Sequence, residues 1–169
     1  DSIYTMDERV TLEDAVAALL REQELTVTTV ESCTGGLLAG RLVNVPGVSE
    51  VFKQGFVTYS NKAKRKLVGV KKTTLKEFGA VSDRTAREMA KGAILMTGSD
   101  AAVAVTGIAG PDGGSEEKPV GLVYIAAAVR GQTYVQECHF TGDRAKIRES
   151  SVAAALTLLR RGILETAEG

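Results

Sequence analysis

Three glycine-bearing stretches carry the residue types from which a small-molecule site is built. In the first, Glu31-Ser32-Cys33-Thr34-Gly35-Gly36, a hydroxyl and a thiol precede two glycines. A β-branched run leads into it and an apolar helical pattern leads out. Such a turn aims side chains and unbonded backbone N–H groups at one point, and Gly35 and Gly36 permit close backbone approach. A nucleophile placed there would find an oxyanion hole in the N–H groups around Thr34 to Gly36. Ser32 is one candidate. Cys33 is the other, because thiolates are favoured at helix N-termini. The plain alternative is a capped helix, with Ser32 or Thr34 as the cap. The stretch lacks the Gly-Lys-Ser/Thr ending of a nucleotide-hydrolase phosphate loop.

The second stretch, Tyr59-Ser60-Asn61-Lys62-Ala63-Lys64, again runs from strand to helix and continues into Arg65 and Lys66. Cations crowd the helix's positive end, where each costs roughly 0.3–1 kcal/mol at an exposed site. That cost falls on the charged form, so a lysine here should lose its proton more easily. A neutral lysine beside a serine hydroxyl activates it. Residue types alone do not choose among the four basic side chains, and a solvated basic surface is the plain alternative.

The third stretch runs from Thr106-Gly107-Ile108-Ala109-Gly110 to Pro111-Asp112-Gly113-Gly114-Ser115. It is long and glycine-rich for a connector, which points to backbone contact with a ligand. Further on, Arg144 and Arg148 lie four apart at the start of the last helical pattern and share a face. Cations at a helix start suit a bound anion, and arginine suits phosphate. An exposed helix face paired with Glu149 is the alternative reading.

The elements that must position these stretches read clearly. Thr11 to Asp14 resembles a capping box, and Leu12, Ala15, Val16, Leu19 and Leu20 give a helix to about Gln23. Thr26 to Val30 is a strand, Leu37 to Asn44 a short helix, Gly55 to Tyr59 a second strand and Asn61 to Val68 a basic helix. Ser82 caps a helix with a stripe at Ala86, Met89, Ala90, Ala93 and Ile94. Ala101 to Thr106 is small and apolar throughout, as in a strand buried on both faces. Val120 to Val129 and Thr133 to Phe140 form a hairpin across Arg130-Gly131-Gln132, and a final helix starts near Asp143. This order predicts an α/β chain: a three-layer α/β/α fold on a mixed, mostly parallel sheet of about five strands. One domain over residues 1–169 is expected, with residues 1–9 a loosely ordered N-terminal extension.

Bulk properties exclude several classes. Lysine plus arginine equals aspartate plus glutamate, 21 each, so there is no basic footprint for nucleic acid. No apolar run approaches the roughly 20 residues of a membrane helix. One histidine, His139, and two distant cysteines, Cys33 and Cys138, assemble no metal centre and fit a reduced, cytoplasmic setting. His139 reads as a packed or edge residue and Cys138 as core.

Taken in order, the motifs resemble the CinA C-terminal domain family, many of whose members are nicotinamide mononucleotide amidohydrolases. The likeness runs from about Leu12 to Leu164. It rests on Glu31 to Gly36, Pro46-Gly47, Tyr59 to Lys64, Gly79 to Ser82, Thr106 to Pro111 with Asp112 to Gly114, Lys118 to Gly121 and Phe140 to Arg144. The large N-terminal domain of many CinA proteins is not in this sequence, so it looks like the stand-alone form. The resemblance implies a catalytic set of Ser32 as nucleophile, Lys64 as base, Tyr59 beside that lysine and Thr106 supplying a hydroxyl. It implies a nucleotide substrate held by Thr34, Gly35, Gly36, Asn61, Gly107, Ala109, Gly110, Gly113, Gly114 and Arg144 or Arg148. It also implies no cofactor, no metal, and amide hydrolysis giving nicotinate mononucleotide and ammonia. A homodimer stays open. The alternatives are a Cys33 amidohydrolase, a non-catalytic nucleotide-sensing or binding module (CinA names are linked to competence and DNA damage), and an amidase fold that has lost its activity.

Overall fold

Strand β1, Val27–Glu31, is buried along its whole length and forms the axis of the sheet. A computed structural model describes residues 9–167 of the chain; the expected N-terminal extension falls almost wholly outside them. Within the described residues, β1 is preceded by α1 (Leu12–Glu22) and followed by α2 (Leu37–Val43), β2 (Phe52–Val57) and α3 (Asn61–Val68). Then come α4 (Lys72–Phe78), α5 (Asp83–Thr97), β3 (Ala101–Gly107), β4 (Leu122–Val129), β5 (Gln132–His139) and α6 (Arg144–Thr166). The strands lie in the order β2-β1-β3-β4-β5. β1 pairs in parallel with β2 and with β3, while β3–β4 and β4–β5 are antiparallel. Four strands therefore point one way and β4 the other. The sheet is mixed, as expected.

Two differences from the sequence reading have local causes. β2 begins at Phe52, three residues before the Gly55 expected, because Val27 pairs with Phe52 across an irregularity in the register. The α4 helix escaped the periodicity because its seven residues, Lys72–Phe78, are mostly polar, with only Thr74 fully buried. The hairpin is tighter than expected. Its turn is Arg130-Gly131, both at positive φ (50° and 79°), the pattern of a two-residue primed turn that follows strand twist.

Alternation along the strands sorts the core into two layers. Ala101, Val103 and Val105 of β3 face a cluster with α1, α2 and α6. Ala102 and Ala104 face the other cluster, where Met89, Ala90 and Ala93 of α5 meet Val68 and Val70. Small strand residues on this second side let α5 lie close to the sheet. Close packing continues outward: a Cβ on Gly92 of α5 would overlap the Val68 carbonyl at the end of α3. Glycine at 92 thus sets how deeply α3 docks, and α3 carries Lys64.

Candidate active site

The three parallel strands β2, β1 and β3 end side by side, and each ends in one of the stretches singled out above. Parallel pairing extends one step past β1: the Ser32 N–H donates to Val105 O (2.9 Å) and the Thr58 N–H to Glu31 O (2.7 Å). Ser32, Tyr59 and Thr106 therefore stand at adjacent strand ends. In open α/β sheets, ligands bind in the crevice outside these carboxyl ends. Here the crevice is a cleft of about 300 Å³, at the lower end of small-molecule sites.

Ser32 and Lys64 form its chemical centre. Lys64 sits on the buried face of α3 with Val68, one turn on, whereas Lys62, Arg65 and Lys66 on the same helix are exposed. Geometry thus makes the choice that residue types could not. The Lys64 side chain is 1% exposed. Its Nζ lies 2.9 Å from Ser32 Oγ and donates to Thr58 O at 2.8 Å and to Tyr59 O at 3.4 Å. Burial pulls its pKa down to about 8. A neutral amine has two protons and one lone pair. As an ammonium, Lys64 donates to all three oxygens; once neutral, it can keep its two protons on the carbonyls and turn its lone pair to the Ser32 hydroxyl. The neighbouring Cys33 also lines the cleft, but burial pushes its thiol up to about 11. At neutral pH it stays protonated.

The turn that holds Ser32 is built differently from the capped helix considered above. Neither Ser32 nor Thr34 caps α2; the cap position is Gly36, in the left-handed region at φ 107° with no side-chain bond. The Glu31 carboxylate, 0% exposed, takes over instead. It accepts from the Leu38 N–H at 2.8 Å and the Ala39 N–H at 3.1 Å. An acidic side chain at the positive end of a helix is well placed. This one ties the end of β1 to the start of α2 and closes the Ser32–Gly36 turn between them. Glu31 was only a motif position in the sequence; its sole signal was an acidic residue in a strand otherwise free of charge. Replacing Glu31 by glutamine turns an NH2 group toward one of two buried donors. Stability should fall by about 1.5–3 kcal/mol in urea denaturation, and unchanged stability would mean the strut is dispensable.

Other expected site residues divide into two groups. Tyr59, Asn61, Thr106, Gly107, Ala109, Gly110, Gly113 and Arg144 line the cleft. The Thr106 hydroxyl donates to Ala80 O at 2.8 Å. Tyr59 meets Lys64 through its carbonyl, while its phenol oxygen accepts from Arg144 Nη2 at 3.3 Å. Arg144 Nη1 also donates to Gly110 O at 2.6 Å, bridging the second and third stretches. Thr34, Gly35, Gly36, Gly114 and Arg148 lie outside the lining. Thr34 is buried with its hydroxyl unpartnered, and Arg148 points to the back of the nucleophile turn. Gly114 serves packing, since a Cβ there would press on the Val120 backbone. The cleft also includes Ala80, Val81, Ile108 and Asp112. Of these only Asp112 carried a chemical signal in the sequence.

Fold and cleft together define a class: an α/β/α protein with a buried serine–lysine pair at the carboxyl ends of its parallel strands. More narrowly, the chain belongs to the CinA family, since the CinA C-terminal domain profile matches residues 9–163. A Clostridium novyi protein named as competence-damage inducible is 53% identical over 163 residues, 96% of this chain and 39% of that protein. A CinA-like protein of Kosmotoga olearia is 52% identical over 96% of this chain and 39% of its own length. The chain thus spans about two fifths of the curated relatives it matches. The crystal structure of a competence/damage inducible protein from Agrobacterium tumefaciens superposes with a TM-score of 0.87. It shares 47% identity, with 89% of this chain and 92% of that chain covered. Among the described residues no helix is long and apolar enough to cross a membrane, and no group of three or more His, Cys, Asp or Glu could hold a metal.

Proposed function

We propose that this chain is an amidohydrolase that converts nicotinamide mononucleotide to nicotinate mononucleotide and ammonia. The observation that carries the proposal is the 2.9 Å contact between Lys64 Nζ and Ser32 Oγ, made by a lysine whose other near partners are carbonyl oxygens.

The reaction follows from this geometry. Neutral Lys64 takes the Ser32 proton while Oγ attacks the carboxamide carbon. The C=O electrons move to oxygen, and an unbonded N–H of the nucleophile turn holds the resulting anion. Three donors in that turn have no protein acceptor among the described residues, the N–H groups of Cys33, Thr34 and Gly36, and of these residues Cys33 lines the cleft; the Gly35 N–H is committed to Ser32 O. Collapse of the intermediate breaks the C–N bond, and the Lys64 ammonium returns its proton to the leaving nitrogen, which departs as ammonia. Water then attacks the Ser32 ester with Lys64 again as base, giving the carboxylate and restoring the hydroxyl. Every proton in this cycle passes through one amine.

Arg144 is the group we assign to the 5′-phosphate. It lines the cleft and lies across its mouth between Tyr59 and Gly110. Ammonia release from nicotinamide mononucleotide, without added metal, is the direct test. Arg144→Ala should raise KM for the nucleotide roughly 10- to 100-fold, the value of a hydrogen bond to a charged group, while hydrolysis of free nicotinamide changes little. Equal effects on both substrates would remove the phosphate assignment. A wild-type chain that binds the nucleotide but releases no ammonia would be a sensing module.

A further inference from the structure

We infer that Lys118 is a positioning residue: it ties the third glycine-bearing stretch to the segment after α4, and so holds the Ala80–Val81 part of the cleft wall in place for substrate. The inference rests on the amidohydrolase reading above. Two motifs of the sequence, Gly79 to Ser82 and Lys118 to Gly121, supply no group to the proposed reaction. In the structure they meet. Lys118 Nζ donates to the carbonyl oxygen of Phe78, the last residue of α4. Gly79 leaves the space this needs, since a Cβ there would stand 2.9 Å from Lys118 Nζ. Lys118 is half-buried, whereas every other residue from Pro111 to Val120 is exposed.

The contact matters because of what it holds. Three successive carbonyls after α4 are each bonded by a side chain. Phe78 O accepts from Lys118, Gly79 O from Ser82 Oγ at 3.0 Å and Thr85 Oγ1 at 2.7 Å, and Ala80 O from Thr106 Oγ1 at 2.8 Å. Ser82 and Thr85 belong to the start of α5 itself. Lys118 and Thr106 reach in from elsewhere, and they come from opposite ends of the connection between β3 and β4. That connection supplies Ile108, Ala109, Gly110, Asp112 and Gly113 to the cleft, and the segment it grips supplies Ala80 and Val81. The root of the Lys118 arm is fixed as well. Its N–H donates to Ser115 Oγ at 3.0 Å, and its carbonyl accepts from the Ser115 N–H at 2.8 Å. An ammonium on a carbonyl is a charge-assisted bond, among the stronger ties available. Lys118 itself does not line the cleft, so any effect on substrate passes through the wall. Ser32 and Lys64 are held by β1 and by the Thr58 and Tyr59 carbonyls, independently of this tie.

The test reads wall and chemistry separately. Lys118→Met keeps an arm of similar length and removes the donor. It should raise KM for nicotinamide mononucleotide roughly 10-fold, because apparent affinity falls with the fraction of molecules whose site is formed. kcat should change little, the pattern of lost binding rather than lost transition-state contact. Amide hydrogen exchange should quicken at residues 79–82 and 107–121 and match wild type at residues 31–36 and 58–64. Should the methionine variant fail to fold, Lys118→Gln, with a donor on a shorter arm, carries the same comparison.

Wild-type KM alongside quickened exchange would make Lys118 a tether of the loop alone and overturn the inference. So would unchanged exchange, or a loss confined to kcat. A wild type that binds the nucleotide without releasing ammonia would refute the hydrolase reading alone, and the dissociation constant would then replace KM in judging Lys118. A wild type that neither binds nor hydrolyses it would remove the functional reading and this inference together.

Discussion

Replacing Ser32 by alanine, or Lys64 by methionine, should each lower kcat for amide hydrolysis by on the order of 10⁴- to 10⁶-fold, and the double variant should be no worse than either single one. The reason is that the two side chains act as one unit. Ser32 by itself is a weak nucleophile, and the group within reach that can accept its proton is Lys64 Nζ at 2.9 Å. Among the described residues no other side chain bonds the Ser32 hydroxyl, Asp112 of the cleft lining included. His139 is an exposed strand residue paired with Glu137 at 3.1 Å, and it is absent from the cleft lining. Lys64→Arg should be as inactive as methionine, because a guanidinium does not release its proton in a protein. Steady-state ammonia release measures all four variants. Turnover of Ser32→Ala within tenfold of wild type would move the nucleophile elsewhere, and Cys33 is the next group in line.

Lys64→Met should also make the protein more stable, by up to about 3 kcal/mol at pH 7. In the folded chain Lys64 has a pKa of about 8, against 10.5 for an ordinary lysine, and the cause is burial. Between these values the unfolded chain binds the extra proton, so stability rises with pH through this window. Below pH 8 the cost of keeping a charge buried is present in full. Methionine fills a similar space and carries no charge, so it removes that cost. Its advantage should shrink from pH 8 upward and vanish above 10.5. Urea denaturation at pH 7 and pH 10 reads the difference, and a variant less stable than wild type at both would show that the carbonyl contacts outweigh burial. On the proposed mechanism the same pKa governs activity. About one molecule in ten has the neutral amine at pH 7, so kcat/KM should climb with pH and level off above about 8. Stability and the proposed catalysis pull in opposite directions at this residue.

Much of this was legible in the residues. Continuous burial of β3 followed from its run of alanine and valine, and the α5 stripe of Ala86, Met89, Ala90 and Ala93 lies in the core as its spacing required. The three glycine-bearing stretches do meet, because parallel strands deliver their following loops to one edge. Composition could not say which cation of α3 turns inward. That depends on helix phase against the sheet, which places Lys64 and Val68 on one face and leaves Lys62, Arg65 and Lys66 in water. The roles of Glu31 and Arg148 were hidden for a related reason: each binds backbone groups, and backbone partners leave no trace in residue types. Arg144 and Arg148 share a helix face, as four-residue spacing dictates, yet one reaches the cleft and the other the back of the turn. Spacing fixes direction along a helix but not what stands opposite.

Ser32 and Lys64 are 32 positions apart, and they meet because β1 and β2 run side by side in parallel, which requires a crossover through α2. Contacts of this kind come at a high cost in loop closure and close only as the sheet is completed. Until then Lys64 is hydrated, keeps its proton at neutral pH, and has no serine beside it. The amine becomes a base only when burial strips away its water, and that burial is the finished packing of α3 against the sheet and α5. On the proposed mechanism, a chain in which α3 is not yet packed, or is no longer packed, carries no activated serine. The proposed reactivity therefore requires the packed sheet and is lost with it.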